Sequence, residues 1–314
     1  MKLSVIVPAY NLEKYIEDCI RSVCEQETNF DYEVIVCDDA SPDNTASIIS
    51  RLANEFDNIV PVLKTENGGL AENMRTLLSI VRGDYIAYLD GDDLALPGKL
   101  QKQVDYLDKH PSCAMVYHES DMFDSETDKT IKLYSQGSYN WEHISQSSQI
   151  DDLIRFGTYM QASAVMFRRH NQLTETVVPQ CKIILDYPFY IMNAGFLQGS
   201  IDFIPEVLGR YRIHNESFGG QTQKSVARRL QSLDDILFAC DSASVFGVAE
   251  SVISQGKSHH LFAAALYFLF RDNHEQFRTL ISRSSDGCHF FNQRHALAWQ
   301  HKERPEKARE LMAG

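Results

Sequence analysis

The first third of the chain alternates two hydrophobic periods, and this alternation constrains the fold more than any other feature. Segments with the apolar spacing of amphipathic helices separate four short, β-rich apolar runs. The runs are LSVIVPAY at 3–10, YEVIVCDD at 32–39, IVPVLKT at 59–65 and YIAYLD at 85–90. Such runs are typical of strands buried on both faces of a sheet. The pattern predicts an open, mostly parallel α/β sheet with helices on both faces.

A polar cluster follows each of these four strands. The clusters are PAYN, DDASPD, NGG and DGDD, in chain order. Ligands of open α/β sheets bind outside the carboxyl ends of the strands, where all four clusters should meet. Their common location predicts a binding site at this edge of the sheet.

The rest of the chain divides into a continuation of the sheet and a helical end. Residues 120–150 are polar and predict a long surface excursion, and from about residue 221 the pattern is helical. We therefore expect a boundary near residue 220, with a sheet domain at 1–220 and a helical extension at 221–314. The further predicted elements are helices at 96–111 and near 186–195, and strands at 113–119, 162–169 and 201–214.

Composition excludes several classes of protein. A net charge of −13 and a pI near 5.3 argue against nucleic acid as a partner. The longest apolar run, 261–270, is far shorter than the ~20 residues that span a bilayer, and the N-terminus does not resemble a signal peptide. Seven scattered cysteines, mostly flanked by apolar residues, predict reduced core thiols in a cytoplasmic protein.

The tripeptide DGD at 90–92 is a candidate metal and diphosphate site. Asp90 and Asp92 flank a glycine, Gly91, that lets the backbone approach a ligand closely. Mn²⁺ and Mg²⁺ prefer oxygen ligands and take one or two carboxylates together with phosphate oxygens. A solvated acidic turn is the alternative. Because the chain has neither G-x-x-x-x-G-K-[ST] nor G-x-G-x-x-G after the first strand, phosphate charge needs another partner, which favours the metal.

The acids after the second strand also have two interpretations. In nucleotide-binding sheets, an acid at the position of Asp39 often bonds a ribose or base. Helix capping by Asp39, Ser41 or Asp43 is the alternative, and we expect one of them to cap in either case.

Together these segments resemble family 2 glycosyltransferases. The segments are SVIVPAYN, EVIVCDDASPDNT, ENGGLAEN, GDYIAYLDGDD, KLQKQVDYLDKHP and YRIHNES, in this order over roughly residues 1–218. The resemblance implies the GT-A fold, a nucleotide-sugar-binding sheet with a helical C-terminal region, and an inverting, metal-dependent transferase of the hexosyltransferase class. The implied reaction moves a sugar from a nucleotide-diphosphate sugar, expected to be a UDP-sugar, to a hydroxyl acceptor with Mn²⁺ or Mg²⁺ as cofactor.

The resemblance also assigns roles to individual residues. It implies that Asp92, with Asp90 as its partner, holds the metal, that His214 approaches the metal or the diphosphate, and that Asp93 lies behind them as the most dispensable acid. A structural histidine is the alternative for His214. Where relatives carry an arginine near the phosphates, this chain has NGGLAENMR, so Asn73 or Arg75 would take its place. The nucleotide-binding residues implied by the motifs and their edge position are Pro8, Tyr10, Asn11, Asp39, Asn67, Gly68, Asn73, Asp90 and Gly91.

Asp186 is the candidate catalytic base. The family's base is an acid at the start of a helix after the middle strands, and ILDYPFYI provides Asp186 there, with Leu185 where glutamate is usual. A simple helix cap is the alternative. As the base, Asp186 would deprotonate the acceptor hydroxyl, which attacks opposite the leaving diphosphate.

Two rival functions remain open at this stage. One is a sugar-phosphate nucleotidyltransferase, although the loop PAYNLEKY is neither glycine-rich nor basic. The other is a non-catalytic module that binds a nucleotide sugar or a protein partner. For the transferase, we expect a saccharide or lipid-linked acceptor in bacterial surface polysaccharide or glycoconjugate synthesis. Peripheral contact with the inner face of the membrane and homodimerisation through the C-terminal helices are further expectations.

Overall fold

The computed structural model describes residues 1–138, 140–214 and 225–313. The strands are β1 Leu3–Ala9, β2 Tyr32–Asp38, β3 Ile59–Leu63, β4 Tyr85–Tyr88, β5 Leu94–Ala95, β6 Cys113–Asp124, β7 Thr130–Leu133, β8 Ser147–Ser148, β9 Val165–Arg168 and β10 Ser200–Ile213. The helices are α1 Ile16–Cys24, α2 Thr45–Ala53, α3 Gly69–Ile80, α4 Lys99–Lys109, α5 Ile150–Phe156, α6 Asp186–Leu197, α7 Val226–Ser242, α8 Glu250–Leu269, α9 His274–Arg283, α10 Gln293–Gln300 and α11 Pro305–Met312.

All ten strands belong to one open sheet, whose main path is β3-β2-β1-β4-β9-β6-β10-β5. Strands β1 to β4 pair in parallel, as their apolar runs predicted, so their carboxyl ends share one edge. The other half is mixed, because β9 is antiparallel to both of its neighbours while β6 and β10 are parallel. The sheet as a whole is therefore less parallel than the sequence suggested.

Helices cover both faces of the sheet, as predicted. Along β1 the side chains alternate, so that Val5 and Val7 join one apolar cluster and Ile6 joins the other. The first cluster includes buried residues of α1, α2 and α4. The second contains those of α3, α5 and α6, together with Ala239 and Cys240 of α7.

Residues 120–150 are not a long surface excursion. Strand β6 continues to Asp124 and pairs with β7 after a short turn, with Asp121 opposite Leu133. Strand β8 then adds to β10. The polar composition is misleading because β7 is a largely exposed edge strand, which needs few apolar residues.

The helices after residue 225 pack in two ways. Residues of α7 and α8 join the core beneath the sheet, and α7 to α11 enclose a third apolar cluster of their own. The predicted boundary near residue 220 lies outside the described residues. No helix in the described ranges is both long and apolar enough to cross a membrane. All seven cysteines are free thiols; five are buried, while Cys288 is exposed, contrary to the expectation of core thiols throughout.

Candidate functional site

The acidic turn 90–93 lies at the carboxyl edge, beside the end of β1, because β1 and β4 are parallel neighbours. Gly91 is buried there, and a Cβ atom at this position would lie 2.8 Å from Leu12 Cδ1 and 3.0 Å from the Pro8 carbonyl oxygen. The glycine is thus required by close packing within the chain itself. Pro8 is buried within β1, so these two predicted nucleotide-binding residues lie behind the edge.

Asp93 fixes this turn to the rest of the sheet. It is fully buried, and its Oδ2 accepts hydrogen bonds from Gln161 Nε2 (2.7 Å) and Ser163 Oγ (2.6 Å). Its Oδ1 accepts from the backbone N–H of Arg212 (2.9 Å). Burial and the two neighbouring carboxylates raise the pKa of Asp93 well above its ordinary value. From the sequence, we expected Asp93 to be the most dispensable of the three acids. Its contacts instead give it a structural role.

Asp92 and His214, two of the predicted metal ligands, lie in contact with each other. His214 Nε2 lies 2.9 Å from Asp92 Oδ2, and His214 follows directly after β10. Arg212 supports the pair, since its Nε donates to the Asp92 carbonyl oxygen at 2.7 Å. The ring of Tyr15 lies 4.8 Å from the His214 ring and 4.9 Å from the Arg212 guanidinium carbon. Sequence reasoning missed Arg212 and Tyr15, although the YRIH motif contains the former.

Asp90 has a different environment. Tyr88 donates its hydroxyl to Asp90 Oδ1 at 2.6 Å, and Asp90 lines a cavity that is partly open to solvent. Burial, followed by repulsion from Asp92, raises the pKa of Asp90 to about 7. Of the three predicted metal ligands, Asp92 and His214 contact each other, while Asp90 accepts a hydrogen bond from Tyr88.

The donors in this region fit a divalent cation. Within the described ranges, no group of three or more His, Cys, Asp or Glu side chains is arranged to hold a metal ion. However, hard cations in such sites usually take one or two carboxylates and complete their coordination with phosphate oxygens and water. The carboxylate of Asp92, with Asp90 on the same turn and the imidazole of His214 beside it, suits that kind of site.

Asp39 is engaged by the start of α3. Its Oδ2 accepts from the Gly69 backbone N–H (2.7 Å), and its Oδ1 accepts from the Gly68 N–H (3.1 Å) and from Lys64 Nζ (2.6 Å). Asn67 Nδ2 donates to the Asp39 carbonyl oxygen at 3.0 Å. Asp39 therefore makes capping bonds, as in the alternative interpretation, but to the start of α3 rather than to that of α2. At the start of α2, Asp43 accepts from the Thr45 N–H (3.0 Å).

The remaining predicted nucleotide residues differ in their exposure. Asn73 is buried and donates from Nδ2 to the Cys37 carbonyl oxygen at 2.9 Å, so it anchors α3 to β2. Tyr10 is 50% exposed just after β1. Asn11 adopts a left-handed backbone (φ 58°), and its N–H donates to Ser41 Oγ at 2.9 Å. Of this set, Tyr10 and Asn11 are open to a ligand at the edge.

Asp186 shares a cavity of about 250 Å³ with Asp90. It is the first residue of α6, and its Oδ1 accepts from the Tyr187 N–H at 2.8 Å, so it also makes a capping bond. Burial raises the pKa of Asp186 above its ordinary value. The cavity is lined by Leu70, Met74, Tyr88, Asp90, Tyr134, Gln161, Ala162, Val177, Ile183, Ile184, Leu185, Asp186, Phe189, Tyr190 and Tyr211.

Sequence reasoning missed the tyrosines of this cavity. Tyr190 is buried, and its hydroxyl has no hydrogen-bond partner among the described residues. It follows Asp186 by four positions on α6, a spacing that puts both side chains on one helix face and could have revealed it. Tyr134 comes from the segment expected to be a surface loop, and Tyr211 from β10, where it makes an edge contact with the Tyr134 ring at 5.9 Å.

Comparison with known sequences identifies related proteins. The family model described as glycosyl transferase family 2 matches residues 4–171. An uncharacterized protein of Mycobacterium tuberculosis is 31% identical over 217 residues, which make up 68% of this chain but 59% of that protein. The putative teichuronic acid biosynthesis glycosyltransferase TuaG of Bacillus subtilis is 28% identical over 228 residues, covering 72% of this chain and 84% of TuaG.

Solved structures share the fold at low sequence identity. Residues 1–349 of TarS from Staphylococcus aureus, solved with UDP-GlcNAc, give a TM-score of 0.66 at 16% identity and cover 100% of this chain and 91% of that one. The mannosyltransferase PcManGT from Pyrobaculum calidifontis, solved with GDP-Man and Mn²⁺, gives a TM-score of 0.59 at 16% identity, with 98% and 86% covered. The fold is therefore the GT-A fold of these transferases, with a helical C-terminal region.

Proposed function

The chain belongs to glycosyl transferase family 2, and from this membership we propose that it transfers a sugar from a nucleotide-diphosphate sugar to a hydroxyl acceptor with inversion. A UDP-sugar is the expected donor, because the structural neighbour TarS binds UDP and UDP-GlcNAc. Relatives such as TuaG support a place in bacterial surface polysaccharide or glycoconjugate synthesis. The acceptor is then a saccharide or a lipid-linked saccharide.

The observation that carries this proposal is the pair of acids in one cavity. Asp90, on the acidic turn at the carboxyl edge of the sheet, lines the cavity, and Asp186 lines the same cavity from the start of α6. Ionised Asp186 accepts the proton of the acceptor hydroxyl, whose oxygen bonds to the anomeric carbon while the bond to the diphosphate breaks on the opposite face. A pKa raised by burial makes this carboxylate a stronger base than a solvated aspartate.

The nucleotide diphosphate occupies the edge formed by the polar clusters. Tyr10 and Asn11 flank the base and ribose, while Asp39 with Asn67 and Gly68 keeps the start of α3 in place beside them. Asp92 and His214 would hold Mn²⁺ or Mg²⁺, which supplies positive charge to the leaving diphosphate when bound. The mannosyltransferase solved with Mn²⁺ supports this choice of cofactor.

The transferred sugar is neutral. The lining of the cavity contains two carboxylates and, among the described residues, no lysine or arginine. A uronic acid there would meet like charge in a poorly solvated space. A donor panel checks this point, since neutral UDP-sugars should support turnover where UDP-uronic acids do not. Turnover with a UDP-uronic acid alone would contradict the assignment.

Several finer statements belong to the same proposal. Residues 1–220 form the transferase domain and 221–314 a helical extension. We propose that the protein works in the cytoplasm and makes peripheral contact with the membrane. We also propose that it forms a homodimer through the C-terminal helices. Arg229 of α7 lies over the Tyr267 ring at 4.6 Å, so its guanidinium makes a cation–π contact within the helical extension.

The central experiment is Asp186→Asn, with the exposed Asp234→Asn as its control. A panel of UDP-sugars with and without Mn²⁺, read by thermal shift, first selects the donor. We expect Asp186→Asn to bind that donor normally and to lower the rate of UDP release by about 10²- to 10⁴-fold, the usual contribution of a general base. Full activity in this variant would refute Asp186 as the base.

The two rivals have their own tests. A nucleotidyltransferase would release pyrophosphate from a nucleoside triphosphate and a sugar phosphate. A non-catalytic module would bind the selected donor without releasing UDP under any metal condition. Inverted anomeric configuration in the product, measured by NMR, completes the assignment of the reaction.

A further inference from the structure

We propose that Asp235, on the C-terminal helix α7, is a positioning residue that holds the segment leading into Asp186 in its working geometry. The inference rests on the proposed role of Asp186 as the base. Asp235 lies well beyond residues 4–171, the part of the chain that the family model matches. The helical extension would thus take part in building the active site.

Three consecutive backbone amides converge on one oxygen of Asp235. Its Oδ2 accepts from the N–H groups of Lys182 (3.0 Å), Ile183 (2.6 Å) and Ile184 (3.0 Å). Gln231, one helical turn earlier, donates from Nε2 to the other oxygen at 2.9 Å and so orients the carboxylate. Asp235 is buried, with 1% of its surface exposed, so these bonds are shielded from water.

The segment that Asp235 binds has no regular structure of its own. Residues 177–185 connect a 3₁₀ turn at Leu173–Thr176 to the start of α6, so the amides of 182–184 have no partners in a helix or a strand. The side chain of Lys182 is exposed and therefore does not anchor the segment. A carboxylate that collects three successive N–H groups fixes the path of this backbone directly.

A second contact with α7 follows Asp186 on the other side. The Tyr187 ring is buried, and its hydroxyl lies 3.5 Å from the Cys240 sulfur and donates to the Leu153 carbonyl oxygen at 3.1 Å. Asp186 therefore sits between two points that α7 holds, Asp235 before it and Cys240 after it. The two contacts lie five residues apart on α7, about 7.5 Å along the helix axis, so α7 holds the segment at two separate points.

The consequence for the cavity is direct. Ile183, Ile184, Leu185 and Asp186 all line it, so the backbone that Asp235 fixes carries one wall together with the base. A shift of about 1 Å in a reacting group can cost ~100-fold in rate. Loss of the Asp235 bonds should therefore lower the rate of the chemical step. It should leave nucleotide binding at the carboxyl edge of the sheet unchanged.

The experiment compares Asp235→Ala, Asp235→Asn and the adjacent exposed Asp234→Asn in the full chain. The readouts are kcat and KM for UDP release from the selected donor, the thermal shift produced by UDP, and the unfolding temperature. We expect Asp235→Ala to lower kcat by about 10- to 100-fold with KM for the donor and the UDP shift unchanged. Asp235→Asn keeps an acceptor oxygen but loses the charge, so its loss should be smaller. Asp234→Asn should match the wild type.

A purely structural role gives different results. If folded Asp235→Ala keeps the kcat of Asp234→Asn, or changes KM for the donor instead of kcat, the inference is wrong. If Asp235→Ala does not fold, Gln231→Ala decides, because it removes only the amide that orients Asp235. A lower kcat at unchanged KM in Gln231→Ala supports positioning, and an unchanged kcat there contradicts it.

The double variant Asp186→Asn/Asp235→Ala separates this inference from the proposed function. If Asp235 acts through Asp186, removing it should change the residual rate of Asp186→Asn by less than about twofold, since the two effects are not additive. A fully active Asp186→Asn would refute the proposed base. An inactive Asp186→Asn beside a fully active Asp235→Ala would refute only the positioning role.

Discussion

At the carboxyl edge of the sheet, Asp39 accepts hydrogen bonds from two backbone amides and a lysine, and Asp93 accepts from two side chains and a backbone amide. In the cavity, the acids have few partners. Asp90 accepts from Tyr88, and Asp186 accepts from the amide of the next residue, within largely apolar walls. The two sets of carboxylates therefore differ in how many hydrogen-bond partners they have.

This difference suggests a division of work. Carboxylates that are fully hydrogen-bonded hold loops in place, and a ligand finds that edge already formed. Desolvation raises the pKa values of Asp90 and Asp186, as it does that of Asp93, but the carboxylates of Asp90 and Asp186 have few hydrogen-bond partners. Such groups gain most from a substrate that brings positive charge or a proton to them. Substitutions in the two regions should therefore separate loss of stability from loss of activity.

The largest effect on folding should come from Asp93→Ala. The substitution leaves the donors of Gln161 and Ser163 and the Arg212 amide without an acceptor, and removes a carboxylate that interacts with buried Lys99. We expect a loss of about 3 kcal/mol in the free energy of unfolding, measured with urea. Asp92→Ala, the partly exposed neighbour, should cost less than about 1 kcal/mol. Equal losses in the two variants would remove the distinction between structural and site acids.

A smaller effect should follow from Asp186→Asn. This substitution should stabilise the folded protein relative to the wild type as the pH rises. The folded-state pKa of Asp186 lies above its ordinary value, so folding takes up a proton between the two values. The stability that Asp186 contributes is therefore lost as the pH rises through the folded pKa. Asparagine does not titrate, so the variant should become more stable relative to the wild type between pH 4 and pH 8.

The matched measurement uses Asp234→Asn, whose stability relative to the wild type should not change over this range. Urea unfolding of all three proteins at each pH gives the difference directly. If Asp186→Asn instead loses stability relative to the wild type as the pH rises, its carboxylate is stabilised by partners, and the contrast between the two regions fails at that position.

How far the sequence predicts this molecule depends on the distance between the interacting residues. The strands β1 to β4 and the helices between them follow from local periodicity, and their parallel pairing brings four polar clusters to one edge. The pair Asp92 and His214 was reachable through the family resemblance, although 122 positions separate the two residues. Both predictions rest on patterns that short segments carry by themselves.

The cavity could not be predicted in the same way. Tyr134 reaches it because β7 folds back on β6, and the polar composition of that segment suggested a loop. Asp235 reads as an ordinary acid of an amphipathic helix, and its bonds to residues 182–184 depend on how α7 packs on α6. Likewise, nothing local to Asp39 indicates that it caps α3 rather than α2. Each of these contacts is set by tertiary packing.

The smallest expected effect on folding is at Tyr10. Substituting this residue tests whether the carboxyl edge of the sheet binds the nucleotide. Its ring is half exposed, so Tyr10→Ala should leave the free energy of unfolding within about 0.5 kcal/mol of the wild type. If the ring stacks on the base, the variant loses about 1 kcal/mol of binding, roughly fivefold in UDP affinity by calorimetry. Tyr10→Phe keeps the ring and should keep the affinity. Equal UDP affinity in Tyr10→Ala and the wild type would show that the base does not stack on Tyr10. Binding of the nucleotide at this edge would then depend on the hydrogen-bonded loops alone.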